Sequence, residues 1–191
     1  MLKRETRVLG LSCVSVHSRM IVVSVVFRGA MWLDGVSSSA IEVSEQSFIL
    51  IASNLIKNCR QFSQLHAILI RLRTVQNREI SIQSLARRVK LPVIAITEPG
   101  RRLTAENQEL NSFDISLRGK HVTIFAAGVE KGEAEELYKI GCSPYGMVPE
   151  AVRIADLLTE ELNRSFSQNR KGHKVTVRTR LETINSSKHE E

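Results

Sequence analysis

The 191-residue sequence predicts an α/β protein built on a mixed β-sheet. Three apolar runs rich in β-branched residues come first and are joined by short connections, which makes them antiparallel neighbours. Extended and helical patterns alternate after them, as they do where helices connect parallel strands. The composition is that of a globular protein, since 42% of the residues are hydrophobic and 25% are charged. We therefore expect helices on both faces of the sheet.

The first three strands are predicted from their apolar residues. Residues 7–16 are apolar on both faces, as expected of a covered central strand. Residues 20–27 form the second strand and residues 31–43 the third, with a turn at 28–30 between them. Asp34-Gly35 indicates a bulge or bend within the third strand.

The rest of the chain is predicted as helices and strands in alternation. Ser44 is the expected N-cap of a helix that runs toward Cys59. The poorly patterned residues 101–118 are interpreted as a weak helix and then a loop. The remaining elements are, in chain order, strand 67–72, helix 80–89, strand 91–97, strand 121–127, acidic helix 130–140 and a last helix from Pro149 through Leu162. This order places the first strand beside the fourth at the centre of the sheet.

Charge and targeting signals narrow the class of protein. The formal net charge of +7 and the isoelectric point near 9.7 favour an anionic partner such as nucleic acid. The three cysteines form neither a CxxC pair nor an even set, which favours reduced thiols. The N-terminal apolar stretch is interrupted by serines and makes a poor signal sequence. The longest apolar run, residues 20–27, is too short to cross a membrane as a helix, so we expect a cytoplasmic protein without a membrane partner.

Two segments are predicted, a globular domain over residues 1–165 and a polar, basic C-terminal segment over residues 166–191. From Arg164 to Leu181 there are six Lys or Arg residues and no acid. Within residues 174–180 the basic residues alternate with Val and Thr, which predicts an edge strand followed by a disordered end. The alternative is a solvated tail whose charge is incidental.

Three stretches carry a resemblance to a known family. Residues 8–11 (VLGL), 25–36 (VVFRGAMWLDGV) and 147–156 (MVPEAVRIAD) resemble the archaeal endonuclease dU branch of the endonuclease V superfamily. The last stretch has Ala151 where that family has the second proline of Pro-Glu-Pro. The matching stretches are spread from about residue 7 to residue 165. The resemblance implies a ribonuclease-H-like fold and Mg²⁺-dependent cleavage of a phosphodiester near a deaminated base.

The resemblance also implies three carboxylates, from the middle of the first strand, the end of the fourth strand and the last helix. Ser12 and Cys13 stand at the first position, and Arg71 stands where the family has the aspartate of Leu-Asp-Gly. Only Asp156 matches, with Asp34 in the hairpin as a candidate outlying acid. One carboxylate cannot hold Mg²⁺ against its waters, and a guanidinium would repel the ion. We therefore expect a degenerate site and no cofactor, with Mg²⁺ required only if the protein is an enzyme after all.

Alternatives stay open for the residues at this site. Arg71 is expected either to pair with Asp156 and grip a phosphate, or to extend to solvent at the sheet edge. Asp156 by its spacing alone is an ordinary surface acid beside Arg153. We predict that Trp32 belongs to the core, although an aromatic beside a turn could stack on a base. Cys13 is predicted to be a buried thiol and not a nucleophile.

Basic residues are the candidates for nucleic-acid contact, since phosphates bind Lys and Arg without regard to sequence. The candidates are Arg71, Arg73, Arg78, Arg87, Arg88, Arg170, Lys171, Lys174, Arg178 and Arg180.

Three functional hypotheses follow. The first is a catalytically degenerate member of the superfamily that binds nucleic acid or a nucleoprotein partner. The second is an active endonuclease with a rearranged set of acids, drawn from Asp34, Asp156, Glu42, Glu98 and Asp114. The third is a protein-interaction subunit without nucleic-acid binding. Three carboxylates converging within metal-binding distance would favour the second, and exposed apolar area would favour the third.

Overall fold

The computed structural model describes residues 2–16, 19–42, 47–72, 74–75, 78–97, 107 and 110–168. In these residues the strands are β1 Arg7–Val16, β2 Arg19–Arg28, β3 Trp32–Glu42, β4 Leu65–Arg71, β5 Thr74–Val75, β6 Arg78–Glu79, β7 Val93–Ile96, β8 Asn111–Leu117 and β9 Lys120–Ala127. The helices are α1 Ser47–Lys57, α2 Ile82–Val89, α3 Lys131–Gly141 and α4 Glu150–Gln168, with a 3₁₀ turn at Phe62–Gln64. The basic segment beyond Gln168 and the expected cap Ser44 lie outside the described residues. None of the described helices is both long enough and apolar enough to cross a membrane.

Seven strands form one mixed sheet in the order β3-β2-β1-β4-β7-β9-β8, and β5 and β6 form a separate short pair. β1 to β3 are antiparallel neighbours, whereas β4 runs parallel to both β1 and β7. β9 returns antiparallel to β7 and carries β8 at the edge. The predicted mixed sheet, with the first strand beside the fourth, is confirmed.

Helices cover both faces of the sheet, because side chains along a strand alternate between the two faces. Leu9, Leu11 and Cys13 of β1 belong to the core under α1 and α2. Val8 faces the other way, into the core under α3 and α4. Two apolar layers therefore sandwich the sheet, as the sequence predicted.

The bulge predicted at Asp34-Gly35 is present in β3. Val26 of β2 pairs with Gly35 and Phe27 pairs with Leu33, so Asp34 is the extra residue. Near this bulge the hairpin leaves four apolar side chains largely exposed, namely Met31, Trp32, Leu33 and Val36. The prediction that Trp32 belongs to the core is wrong, since the residue is 61% exposed on an edge strand.

Strand β8 corrects the interpretation of residues 101–118 as a weak helix and a loop. Its apolar residues Phe113, Ile115 and Leu117 recur at every second position and face the core under α3 and α4. Arg118 and Gly119 both have positive φ, of 54° and 72°, and close a two-residue hairpin to β9. The right-handed twist of paired strands favours such a turn. This alternation was visible in the sequence and was missed.

Helix α4 packs directly against β1, and Gly10 makes this possible. A Cβ built on Gly10 would lie 2.1 Å from the carbonyl carbon and oxygen of Ala151. The helix continues through Gln168, six residues past the predicted end at Leu162. The short distance between Gly10 and Ala151 determines how closely α4 lies on β1, and therefore which side chains of the two elements meet.

Candidate functional site

Three side chains from distant parts of the chain meet at one end of the sheet. Asp156 of α4 accepts a hydrogen bond from the Ser12 hydroxyl through Oδ1 at 2.7 Å. Arg71, the last residue of β4, donates through Nε to Asp156 Oδ2 at 2.8 Å. Asp156 is 8% exposed, so the ion pair is held at the edge of the core. The structure thus forms the pair that was one of the two expectations for Arg71.

The strand register explains why these residues meet. β1 and β4 run parallel with Leu11 opposite Ile70, so Ser12 and Arg71 follow at corresponding positions. Leu11 and Ile70 both face α1 and α2, and the next residue on each strand faces α4. Cys13 therefore turns away from Asp156 and is buried in the opposite core. Of the two residues predicted at the first acid position, only Ser12 belongs to the site.

The donor set does not fit Mg²⁺. The Asp156 carboxylate accepts hydrogen bonds from a hydroxyl and a guanidinium, whereas Mg²⁺ requires several oxygen ligands and is repelled by the positive charge of Arg71. Within the described ranges, no three His, Cys, Asp or Glu residues are grouped closely enough to hold a metal ion. The arrangement can neutralise and orient Arg71, and it offers N–H donors to an anion.

The two other candidate acids whose side chains are described, Asp34 and Asp114, lie elsewhere. Asp34 accepts from Arg7 Nε at 2.7 Å and lies 3.6 Å from an Nη of Arg28. Arg7 is opposite Leu65 at the start of β4, and the six residues to Arg71 span about 20 Å. Asp114 does not join the site either, since it accepts a hydrogen bond from Thr123 on an exposed edge strand. The side chain of Glu42 and the whole of Glu98 lie outside the described residues.

An open pocket of about 350 Å³ lies beside the ion pair. Its lining residues are Arg71, Gly146, Met147, Val148, Arg153, Asp156, Leu157 and Glu160. Arg153 is half exposed and its Nη2 lies 2.7 Å from Glu150 Oε2. The formal charges of the two arginines and two acids in the lining cancel. An anion would therefore be recognised here through hydrogen bonds from oriented N–H donors, and not through a net positive charge of the pocket.

Two of the remaining basic candidates, Arg87 and Arg88, are described, and neither lines this pocket. Arg87 and Arg88 lie on α2, which covers the opposite face of the sheet, and Arg88 Nε donates to Ser53 Oγ of α1 at 2.9 Å. The side chain of Arg78 is not described, although its backbone belongs to β6. Arg73, Arg170, Lys171, Lys174, Arg178 and Arg180 lie outside the described residues.

Sequence reasoning missed the loop that forms one wall of the pocket. Residues 143–148 connect α3 to α4, and Arg118 of the β8–β9 hairpin donates to two carbonyl groups of this loop. Tyr145 at its tip is 98% exposed. The signal in the sequence was Ser-Pro-Tyr-Gly, which is typical of a β-turn. The contact with Arg118 had no signal, because it joins residues distant in the chain.

The three cysteines are buried and form no disulfide. The pKa of the Cys142 thiol is raised to about 12, chiefly by burial, which outweighs a lowering by the nearby Arg118, and Glu150 contributes a smaller rise. Burial likewise raises the pKa of Cys59, against a smaller lowering by the backbone of Gln61. These thiols are therefore protonated at neutral pH and are poor nucleophiles.

We expect no thiol of the folded protein to react with Ellman's reagent within minutes at pH 8. A thiol with a pKa of 9.0 is about one-tenth thiolate at this pH, whereas one at about 12 is ionised in about one molecule in ten thousand. Absorbance at 412 nm measures the reaction. Protein unfolded in guanidinium should release signal for all three cysteines, and rapid reaction of one equivalent in the folded state would contradict the expectation.

The strand order and the helices on both faces define the ribonuclease H-like fold of the endonuclease V proteins. Human ENDOV superposes with a TM-score of 0.62 at 15% identity, covering 85% of this chain and 86% of that chain. Endonuclease V of Ciona intestinalis, in complex with a 24mer DNA containing an inosine followed by a ribo-adenosine, gives 0.60 at 13% identity, covering 84% and 87%. At such identities the likeness shows the fold alone.

Relatives without an assigned activity are more similar in sequence. The UPF0215 protein of Methanosarcina acetivorans is 28% identical, with 82% of this chain and 90% of the relative covered. A protein of unknown function from Archaeoglobus fulgidus superposes with a TM-score of 0.66 at 22% identity, covering 82% of this chain and 97% of that chain. No protein-family model matches the chain. The endonuclease V-like fold is confirmed, and the endonuclease dU branch and the loss of catalysis stay predictions.

Proposed function

We propose that this protein binds nucleic acid through backbone phosphates at the pocket beside Arg71, and that it does not cleave the strand. The observation that carries the proposal is the Arg71–Asp156 ion pair. It holds a guanidinium at the end of a central strand, in an endonuclease V-like fold. A guanidinium has five N–H donors, and the bond to Asp156 uses the one on Nε. Its other donors suit the oxygens of a phosphate.

The chemistry of the donor set supports binding without cleavage. Metal-dependent hydrolysis requires an ion that polarises the phosphate and generates hydroxide. Arg71 places a positive charge beside Asp156, which disfavours a divalent cation, and the Ser12 hydroxyl adds no negative charge to offset it. The site then positions a strand and supplies no attacking group.

Long-range attraction would come from outside the pocket, whose own charges cancel. Residues 71–102 contain eight Lys or Arg and only two acids, and the whole chain has a net charge of +7. Such a distribution raises the association rate with a polyanion and gives an affinity that falls steeply with salt.

The test is fluorescence anisotropy with labelled DNA and RNA strands at 50 and 200 mM salt. We expect tight binding at low salt, and we expect Arg153→Gln to weaken it and to reduce the salt slope by about one. Arg164→Gln is the matched control, because Arg164 lies on the same helix in an ion pair with Glu161 in which both side chains are 68% exposed. If both substitutions weaken binding equally, the nucleic acid does not bind at the pocket beside Arg71.

The absence of catalysis is tested separately. Strands that contain uracil or inosine are incubated with the protein and Mg²⁺ or Mn²⁺, with Asp156→Ala as the control. We propose that no cleavage occurs. Cleavage that disappears in Asp156→Ala would establish the active endonuclease instead.

One observation favours a second function, as a protein-interaction subunit. The four apolar side chains Met31, Trp32, Leu33 and Val36 are between 49% and 70% exposed on the edge hairpin. Clusters of this kind are typical of protein contact surfaces. Failure of the protein to bind any nucleic acid at 50 mM salt would favour this second function.

A further inference from the structure

The loop over residues 143–148 presents an aromatic ring next to the pocket. Gly146, Met147 and Val148 line the pocket beside Arg71 and Arg153. The preceding residue, Tyr145, is 98% exposed. At this exposure the ring contributes little to folding through burial, and it is accessible to a ligand of the pocket.

The loop is held rigidly in spite of its exposed tip. Gly146 N donates to Ser143 O, which closes a four-residue turn with Pro144 at its second position. Arg118 Nη1 and Nη2 donate to Gly146 O at 2.9 Å and Ser143 O at 2.5 Å. The carbonyl groups of the first and last residues of the turn are therefore hydrogen-bonded to the neighbouring hairpin.

The base of the loop is fixed to the core as well. Tyr138 Oη donates to Met147 O at 2.6 Å, and burial raises the pKa of this phenol far above its usual range, so it stays a donor. Cys142 and Pro149 form a β-bridge where the loop leaves α3 and enters α4. An exposed ring on a loop fixed at both ends loses little conformational entropy when it binds a flat partner.

We propose that Tyr145 stacks on an unpaired base of the strand whose phosphates bind at the pocket, so that the ligand is single-stranded nucleic acid. This inference rests on the function proposed above. Every base offers a π face, and stacking on an aromatic side chain is tolerant of sequence. In a duplex the faces of each base are covered by its neighbours, so the ring gains nothing there.

The test compares single-stranded and duplex oligonucleotides of equal length at 50 mM salt, with three variants of one position. We expect Tyr145→Ala to weaken single-strand binding by about 5- to 150-fold, the range that loss of one stacked base implies. Tyr145→Phe should bind like wild type because it keeps the ring, and Tyr145→Leu should weaken binding because it keeps only apolar bulk. Duplex binding should be the same in all four proteins. Quenching of a 2-aminopurine base in the strand gives a direct readout of stacking.

The outcomes separate this inference from the proposed function. If wild type binds neither single strands nor duplex in a salt-sensitive way, the proposed function fails. If wild type binds and Tyr145→Ala or Tyr145→Leu binds equally well, stacking is wrong and phosphate binding stands. Weak binding by Tyr145→Phe would point to the hydroxyl and would also contradict stacking. Equal melting temperatures are expected for all variants, since the Tyr145 side chain is fully exposed.

Discussion

Replacing Arg71 with alanine is expected to lower the free energy of unfolding by about 3 kcal/mol, the lower end of the range for breaking a buried ion pair. Asp156 is 8% exposed, and removing the guanidinium takes away charge compensation that water cannot fully replace. The Arg71 side chain itself is 25% exposed, which is why the lower end applies. Urea unfolding followed by circular dichroism measures the change.

The control removes the whole polar network instead of one partner. Arg71→Met combined with Asp156→Leu and Ser12→Ala should lie within about 1 kcal/mol of wild type, because apolar side chains of similar volume avoid the desolvation of the charges. The triple variant should nevertheless lose the salt-sensitive affinity for nucleic acid. A single variant as stable as wild type would mean that the pair is solvated and is not a fixed part of the site.

Gly10→Ala is expected to have the largest effect on stability, a loss of at least about 3 kcal/mol. The added methyl would lie 2.1 Å from two backbone atoms of Ala151 and 2.6 Å from the backbone nitrogen of Val152. Backbone atoms of a packed helix cannot turn aside as a flexible side chain would, so α4 must move away from β1. The expected readouts are a lower midpoint of urea unfolding and weaker nucleic-acid binding, since Asp156 moves with the helix.

Gly132→Ala is the matched control for the same chemical change. Gly132 lies in the first turn of α3, and a Cβ there would meet nothing within 4 Å. Alanine favours a helix over glycine by up to about 1 kcal/mol, so this variant should equal or exceed wild type in stability. A Gly10→Ala protein of wild-type stability would show that the distance between β1 and α4 is larger than described.

Elements with strong periodicity were predictable, and weakly marked ones were not. β1 and β2 are apolar on both faces, and such runs have few alternatives in a chain of this composition. β8 is an edge strand with three apolar residues among polar ones, so its hydrophobic alternation is weak. It forms a strand nevertheless, because it pairs with β9 along its length. Trp32 was predicted to belong to the core from its residue type alone. Whether a side chain on an edge strand is buried depends on whether another element covers that edge, and the residue type does not show this.

For the site, the residues could be named in advance, but their arrangement could not. Ser12, Arg71 and Asp156 were candidates because they stand at the positions where the family that the chain resembles has its acids. Whether Ser12 or Cys13 faces the helix depends on strand register, and a shift of one residue would exchange them. Arg118 and Tyr145 gave no comparable signal.

Local pattern in the sequence by itself determined the helices and the central strands, because hydrophobic periodicity and turn residues act between near neighbours. The resemblance to a known family supplied the candidate site residues. Only the tertiary structure decided that Ser12 meets Asp156, 144 positions away, that Arg87 and Arg88 belong to the opposite face, and that the 143–148 loop is fixed by Arg118. The reason is that contacts across the sheet depend on strand order, register and the depth of α4 on β1, which arise from packing of the whole chain.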